Sequence, residues 1–405
     1  MRVLISGASI AGPVLAYWLN RRGFDVTVVE RAPALRKTGG HAIDLVGPAM
    51  DIAAQMGVAD RVRDHATGTE RLVVYRAGAA RPAHIDYQKV VATMSERHVE
   101  IMRDDLSEIF YDAGRVGVEY LFGDHITAID DDGQVSFAHA AARRFDIVVG
   151  ADGLHSGVRR LTFGDEAGHT EFLGAYLSVA SLPKSLAREG ESTVYADVGR
   201  TAMIYTADHL DDARAVFLFR PDGPTEYDHR DDAAHRQLLR RQFSGMAPQV
   251  DQWLGEVDGA STFYFDAITQ LQLSSWSRGR VTLVGDAGYC PGPAVGGSTS
   301  LAVIGAYVLA GELERAGGDH TAAFSAYEQV MRPAVLGARA LAKGVAKGIL
   351  PSSRLGVQAL IVAGRLISAL PTAVTSRVVG FNDNGIRIYD KISVPDYADP
   401  VGLRG

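Results

Sequence analysis

The chain has 405 residues, of which 47% are hydrophobic and 22% charged, so it can bury the cores of two or three domains. Its formal net charge is −7 and no Lys/Arg cluster stands out, which argues against a nucleic-acid partner. The single cysteine, Cys290, excludes an intrachain disulfide, and no Cys/His spacing suggests a metal site. No apolar run approaches the roughly 20 residues needed to cross a bilayer. We therefore expect a cytoplasmic protein without a metal or a membrane partner.

The first thirty or so residues predict a β-α-β unit. Residues 2–6 form a short apolar run, typical of a parallel strand buried on both faces. A turn at 7–12 precedes a predicted helix at 13–22, with Pro13 near its start and Gly23 just past its end, as helices prefer. A second buried strand is predicted at 25–30.

The middle of the chain predicts many strands. Short strands are expected at 73–75 and 84–86, a helix at 104–113, and strands at 117–121, 125–129, 134–138 and 145–149. Further strands with turn signals between them predict an antiparallel sheet over 172–181, 192–198, 202–207, 213–219 and 261–267. One helix, around 231–244, interrupts that sheet. A buried strand at 280–284, a long helix at 298–316 and a mostly helical tail from 320 complete the prediction.

This order predicts an α/β fold in which a Rossmann-like domain is interrupted by a β-rich domain. We assign the nucleotide-binding domain to 1–70, 100–168 and 272–330, the β-sheet domain for the substrate to 71–99 and 169–271, and a C-terminal helical segment to 331–405.

The turn at 7–12 resembles the G-x-G-x-x-G dinucleotide fingerprint, with Ser9 in the place of the middle glycine. Gly7 permits the tight turn, and Gly12 permits close packing of helix on strand, so that a pyrophosphate can lie at the helix N-terminus. Glu30 ends the next strand, where its carboxylate can accept hydrogen bonds from a ribose. The motif alone does not distinguish NAD from FAD, and a plain βα turn beside a surface acid is the alternative.

Two further motifs follow buried strands. Asp152 and Gly153 come directly after the apolar strand that ends near 149, and Gly285 and Asp286 come directly after the strand at 280–284. In an open α/β sheet, ligands bind beyond the carboxyl ends of the strands. Both aspartates are therefore expected to reach a nucleotide laid across the sheet.

In this combination the chain resembles the class A flavoprotein monooxygenases, the fold group of para-hydroxybenzoate hydroxylase. The resemblance covers roughly 1–330 and rests on the turn at 7–12 with Glu30-Arg31, on Asp152-Gly153, and on Gly285-Asp286 leading into Pro293 and Gly296. In length and in its helical tail the chain is most similar to the antibiotic-modifying branch, which includes tetracycline-inactivating monooxygenases.

The resemblance implies non-covalent FAD, reduced by NADPH or NADH, and a flavin hydroperoxide that transfers oxygen from O2 to an aromatic or polycyclic substrate. Asp286 would bind the ribityl chain, Asp152 would bridge pyrophosphate and nicotinamide contacts, and Arg103 would also contact FAD. Ser298 departs from the family's glycine, and a positive φ there would be costly for serine. The implied ADP-binding and flavin-loop residues are Gly7, Ser9, Ile10, Ala11, Gly12, Glu30, Arg31, Pro293, Gly296, Gly297 and Ser298.

For the substrate we predict a pocket between the flavin and the β-sheet domain. Met203 and Tyr205 share one face of a strand, and so do Phe217 and Phe219, although an ordinary core role is an alternative for each. No residue is assigned as catalytic, because the flavin carries the chemistry, and His41 and His155 are expected to be loop residues. The remaining predicted pocket residues are Ile43, Asp44 and Pro293.

Two other functions stay open at this point. A flavin-dependent reductase or dehydrogenase of the same fold would not activate oxygen, and Ser298 favours it. A catalytically silent ligand-binding protein would retain the fold alone. A halogenase is set aside because Trp18, Trp253 and Trp276 form no Trp-x-Trp signature. The partners that we expect are a small aromatic molecule and O2, for a monomer or a homodimer.

Overall fold

The computed structural model describes residues 1–35, 40–76, 79, 81–92, 95, 97–221, 231–293, 297–370 and 392–397. In chain order the first elements are β1 (Arg2–Ser6), α1 (Ala11–Arg21), β2 (Asp25–Glu30), β3 (Ala42–Val46), α2 (Pro48–Gln55), α3 (Ala59–Asp64), β4 (Arg71–Arg76), β5 (Ala83–Asp86), α4 (Tyr87–Ala92), β6 (His98–Met102), α5 (Arg103–Gly114), β7 (Glu119–Phe122), β8 (Ile126–Ile129), β9 (Gln134–Phe137), β10 (Arg143–Arg144), β11 (Ile147–Gly150) and α6 (Gly157–Phe163).

The second half contains the longest elements of the chain. They are β12 (Thr170–Pro183), β13 (Glu191–Asp197), β14 (Arg200–Tyr205), β15 (Asp212–Phe219), α7 (Asp232–Phe243), α8 (Pro248–Glu256), β16 (Phe263–Leu271), β17 (Ser277–Arg278), β18 (Val281–Leu283), α9 (Asp286–Tyr289), α10 (Ser298–Arg315), α11 (His320–Gly348) and α12 (Arg354–Ala369).

A six-stranded sheet in the order β17-β18-β11-β1-β2-β7 forms the first layer. Its strands are parallel except for the edge strand β17. The central strands β1, β11 and β18 are buried along almost their whole length because helices cover the sheet, which explains their uninterrupted apolar sequences. The three nucleotide-type motifs therefore follow β1, β11 and β18, at the same edge of one sheet.

A seven-stranded sheet in the order β16-β12-β15-β14-β13-β4-β5 forms the second layer. Its two faces pack against different partners. One face carries a core with α7 and α8 that contains Phe243 and Trp253. The other face packs against Met102 at the end of β6 and against Ala342 and Ala346 of α11. The faces are set by the alternation of side chains along each strand.

Strands β3 and β6 form a separate two-stranded ribbon between the two sheets. Leu45 and Ile101 belong to the core of the parallel sheet, whereas Ala42 and Met102 pack towards the seven-stranded sheet. The ribbon was not predicted, because its strands are short and their pairing partners lie far apart in sequence.

The C-terminal part packs back onto the parallel sheet. Helix α10 is buried along most of its length, and residues 392–397 return to it. There the ring of Tyr397 lies against Gly311, and its hydroxyl donates to Glu312 Oε1 at 2.5 Å. Among the described residues no helix is both long enough and apolar enough to span a membrane.

The predicted α/β fold with C-terminal helices is confirmed. The helix predicted around 231–244 corresponds to α7, and a second helix that was not predicted, α8, begins at Pro248. The domain boundaries remain predictions.

Candidate active site

The turn after β1 is shaped by two glycines. Gly7 has φ 107°, and a Cβ there would lie 2.5 Å from the carbonyl oxygen of Ala151. At Gly12 a Cβ would lie 1.9 Å from the Gly7 carbonyl oxygen. The N-cap residue of α1, Ile10, makes no side-chain capping bond, so the amide groups of the first helical turn starting at Ala11 can bind an anion.

Ser9 lies exposed in this turn, and its carbonyl oxygen accepts a hydrogen bond from Ser107 Oγ at 3.0 Å. Glu30 fixes the same turn from the next strand, since its Oε2 accepts from the Ala8 amide at 2.9 Å and its Oε1 from the Ala32 amide at 2.8 Å. A carboxylate has acceptor sites beyond two. Glu30 can therefore hold the turn and also accept a ribose hydroxyl, while Arg31 lies exposed beside it.

Asp152 follows β11 and is bound by its own loop. Its Oδ1 accepts from Ser156 Oγ at 2.5 Å and its Oδ2 from the Val158 amide at 3.1 Å. Burial raises the pKa of Asp152, and these donors act in the opposite direction. The carboxylate thus shapes the start of α6, and its contact with a nucleotide stays a prediction.

Asp286 follows β18 at the first position of α9, after Gly285 with φ 65°. Burial raises the pKa of Asp286, while the thiol of Cys290 donates to it and Arg103 favours its charged form. A Cβ at Gly285 would lie 3.1 Å from the Cβ of Ala302 in α10 and 3.4 Å from that of Ala11 in α1. The turn at 285–286, the start of α1 and helix α10 are therefore in contact.

Cys290 is a structural thiol. Burial raises its pKa well above the ordinary value, and the nearby Asp286 acts in the same direction. A protonated, buried thiol is a poor nucleophile, which fits the expectation of non-covalent cofactor binding.

The loop before α10 has Pro293 half-buried and Gly297 buried, while the predicted site residue Gly296 lies outside the described residues. Gly297 is the N-cap with φ 82°, and Ser298 is the first helical residue. The positive φ that would be costly for serine is thus taken by glycine, and Ser298 presents an ordinary helix N-terminal amide. The concern raised by Ser298 in the sequence does not apply to this geometry.

Residues 40–42 connect this region to the seven-stranded sheet. The Ala42 amide donates to the Tyr205 hydroxyl oxygen at 2.7 Å, and Arg214 Nε donates to the Gly40 carbonyl oxygen at 2.9 Å. The amide of Arg103 donates to the His41 carbonyl oxygen at 3.1 Å. Burial, with Arg103 beside it, lowers the pKa of His41 to about 4, so its ring is neutral at pH 7.

Ile43 and Asp44 point to opposite sides of the β3–β6 ribbon. Ile43 packs against the core of the parallel sheet. Asp44 lies opposite Glu100, and its Oδ1 is 2.6 Å from His98 Nε2. Only Asp44 of this predicted pair is turned towards the seven-stranded sheet.

The expectation that Phe217 and Phe219 line the pocket is wrong. Both rings are fully buried on the face of the sheet that carries α7 and α8, where each packs edge-on against Phe243. Met203 and Tyr205 lie on the opposite face, in the cluster with Met102. The alternation of side chains along a strand shows which residues share a face of the sheet, but it does not show which face is turned towards the site.

Sequence reasoning missed Arg214 and Tyr264, which lie on the same face as Tyr205. The ring of Tyr264 is stacked on that of His41, with centroids 6.3 Å apart and 26° between planes. The sequence from Phe263 to Asp266 alternates apolar and polar residues, and this alternation could have identified a polar face of β16.

Comparison with known proteins gives a consistent set of relatives. Residues 1–332 match a family model described as FAD binding domain. The chain is 42% identical over 329 residues to an uncharacterized protein, Rv1260, from Mycobacterium tuberculosis, covering 80% of this chain and 88% of that protein. It is 37% identical over 361 residues to a flavin-dependent monooxygenase from an unknown prokaryotic organism, covering 88% and 92%. The crystal structure of tetracycline destructase Tet(55) matches with a TM-score of 0.82 and 33% identity over 98% of each chain.

Proposed function

The chain belongs to the class A flavoprotein monooxygenases with an FAD binding domain, and from this premise we propose that it hydroxylates a polycyclic aromatic substrate, such as an antibiotic or a similar secondary metabolite, with NAD(P)H and O2. The predictions of this family, of FAD as cofactor and of an FAD-dependent oxidoreductase are confirmed. The substrate class rests on the likeness to tetracycline destructases.

The residues present fit FAD. Gly7 and Gly12 in the first turn and Gly285 in the turn after β18 lack Cβ atoms where other atoms approach closely, and α1 and α10 both begin without a side-chain cap. When bound, FAD reduced by NAD(P)H supplies the oxygen-activating chemistry. We propose that the turn at 7–12 and Glu30 hold its ADP half, and that Arg103 and Asp286 hold the part towards the flavin ring.

One observation carries this proposal. A Cβ at Gly285 would lie within 3.4 Å of the Cβ atoms of Ala11 in α1 and Ala302 in α10, and a Cβ at Gly7 would lie 2.5 Å from the carbonyl oxygen before Asp152, although these residues lie far apart in sequence. The three motifs therefore meet at one place, as a dinucleotide laid across the sheet edge requires. The face of the seven-stranded sheet that carries Met203 and Tyr205 would close the site from above, with Pro293 below, and so keep water away from the reacting atoms.

The reductase alternative loses its specific support. Ser298 is an ordinary first residue of α10, and Gly297 provides the left-handed N-cap. The amides at this helix start can stabilise negative charge, as an oxygen-activating enzyme requires.

The experiment uses the purified protein with isotope-labelled O2, NADH or NADPH, and a panel of a tetracycline, polycyclic phenols and monocyclic phenols. We expect release of FAD by acid and incorporation of one labelled oxygen atom into a polycyclic substrate. Oxidation of NAD(P)H that needs no O2 would identify a reductase instead. A protein that binds no FAD would be a ligand-binding protein.

A further inference from the structure

Helix α12 is held on β5 and α4 by one of its faces. On that face a Cβ at Gly364 would lie 2.6 Å from Ile85 Cδ1. One turn further along, Ser368 Oγ accepts from the Asp86 amide at 2.8 Å, and the Ser368 carbonyl oxygen accepts from Lys89 Nζ at 2.6 Å. These contacts fix the orientation of the helix and thereby determine which of its side chains point away from the molecule.

The opposite face of α12 carries an exposed apolar row, which we call the α12 seam. Its members are spaced four, three, four and three residues apart, so they fall on one line along the helix. They are Leu355, Ala359, Val362, Leu366 and Ala369. All five are exposed, Leu355 by 80%, Leu366 by 58% and Val362 by 45%.

The order of large and small side chains along the α12 seam is complementary to itself. If two copies of α12 lie antiparallel with Val362 at the centre, each leucine of one copy faces an alanine of the other. The facing pairs are Leu355 with Ala369 and Leu366 with Ala359. Large residues that face small ones let two helices interdigitate. In a parallel pair leucine would face leucine and alanine would face alanine, which leaves the alanine layers unfilled.

Charge favours the same arrangement. Helix α12 contains no acidic residue, and its charged residues are Arg354 and Arg365. In an antiparallel pair the helix dipoles oppose each other, and Arg354 lies beside the last carbonyl groups of the other helix, where a cation is favourable. A parallel pair would instead bring the Arg354 side chains of both copies together. The α12 seam therefore fits a second copy of itself in one orientation, with a twofold axis at Val362.

The size of the exposed surface limits the strength of this contact. With Leu360 and Ala363 beside it, the α12 seam exposes roughly 500 Å² of apolar surface, a size that marks an interaction site on a folded protein. A pair that covers most of this surface would bury about 800 Å² in total, less than the roughly 1,200 Å² of a stable complex. The contact therefore suits a dimer that dissociates on dilution.

We propose that the α12 seam is the docking surface for a second copy of this chain, and that the protein forms a weak twofold dimer in which the two α12 helices pair antiparallel about Val362. The dimer is independent of the proposed reaction, because none of the residues assigned to the candidate site lies on α12.

Single cysteines test the register of the pair. In Val362→Cys the two thiols face each other at the axis, within reach of a disulfide, and the native Cys290 is buried and does not compete. In Leu355→Cys the two thiols lie roughly 20 Å apart, at 1.5 Å per residue. With the FAD-loaded protein and a mild oxidant, we expect at least about tenfold more covalent dimer from Val362→Cys than from Leu355→Cys. Addition of Ala369→Cys to Leu355→Cys should restore the covalent dimer.

Equal yields from the two single variants would indicate random collision, and absence of a covalent dimer from all three variants would exclude the pairing. Either result overturns the proposal.

A second measurement needs no cysteine. Analytical ultracentrifugation of the wild type from about 1 to 200 µM should show monomer converting to dimer. Leu366→Lys puts a charge into the α12 seam and should weaken dimerisation about tenfold or more. Its FAD content and Tm should stay near those of the wild type, because the replaced side chain is exposed. The matched control is Leu336→Lys on α11, which replaces a leucine with 54% exposure and should dimerise as the wild type does.

The remaining outcomes contradict the proposal and identify another role for the α12 seam. A monomer that binds phosphatidylglycerol vesicles, and loses this binding in Leu366→Lys, would use the row on a membrane surface. A monomer that loses stability in Leu366→Lys would cover the row with another part of its own chain. A dimer that Leu366→Lys leaves intact would use a different surface. Incorporation of labelled oxygen is unaffected by any of these results, so the proposed function is tested separately.

Discussion

Asp152 and Asp286 follow neighbouring parallel strands, and burial raises the pKa of both carboxyl groups. Asp152 is bound by Ser156 and by the amide of Val158, which belong to its own loop. Asp286 has the weaker donor, the Cys290 thiol, and the field of Arg103. A charged carboxylate gains most from new donors where its existing ones are weak, so we expect Asp286 to be the better partner for the hydroxyl groups of a ribityl chain.

We expect Asp286→Ala to weaken FAD binding about tenfold or more, the range for a hydrogen bond to a charged group. The measurement is fluorescence titration of the flavin-free protein with FAD. Asp44→Ala is the matched control, since it also removes a partly buried carboxylate close to the site, and it should retain FAD better. Equal affinity in both variants would mean that the ribityl site is misplaced.

At the scale of elements, the strands of the seven-stranded sheet separate a face that packs under α7 and α8 from a face that meets residues 40–42. On β15, Phe217 packs under α7 against Phe243. On β14, Tyr205 accepts from the Ala42 amide across the other face. Residues on neighbouring strands of one sheet therefore make different contacts, with the helices on one side and with residues 40–42 on the other.

Phe217→Ala should cost about 3–5 kcal/mol of stability, because it leaves a cavity in a closed core, but the fraction of NAD(P)H oxidation that yields oxygenated product should stay unchanged. Tyr205→Phe should instead change coupling and leave stability almost unchanged. Because it removes the acceptor of the Ala42 amide, it should raise hydrogen peroxide formation with little change in Tm. Calorimetry together with peroxide and product assays separates the two. If Phe217→Ala lost product but kept its Tm, the Phe217 ring would line the substrate pocket after all.

At the scale of the whole molecule, His155 is one of the groups that join the two sheets. Burial lowers its pKa, but the hydrogen bonds with Asp266 and Glu166 outweigh burial and raise the pKa to about 9. In the unfolded chain the ordinary value is 6.5. Between these values the folded protein holds a proton that the unfolded chain has released, so this contribution to stability is complete below pH 6.5 and is lost as the pH rises through about 9.

We therefore expect the Tm of the wild type to fall more between pH 6.5 and pH 9.5 than that of His155→Gln, which lacks the group that titrates. The exposed His84 serves as control, and His84→Gln should follow the wild type. If the Tm of the wild type and of His155→Gln changed equally with pH over this range, protonation of His155 between Glu166 and Asp266 would not contribute to stability.

The sequence by itself determined the nucleotide-binding half of the protein. The turn at 7–12, Asp152-Gly153 and Gly285-Asp286 each follow a buried apolar strand, and both the need for glycine and the strand-end position are local properties. These motifs were enough to predict the α/β fold, the monooxygenase family and FAD.

Only the tertiary structure decided how the substrate side is built. Alternation along β15 shows that Phe217 and Phe219 share a face, but the direction of that face depends on which layer packs against it, so the prediction for both rings was wrong. The contact of His155 with Asp266 joins residues from distant parts of the chain, and no local pattern encodes such a pair. Likewise Ser298 looked unfavourable in the sequence until the helix start placed the positive φ on Gly297. Local chemistry was thus enough to identify the cofactor, whereas long-range packing decides which face of each strand is turned towards the parallel sheet.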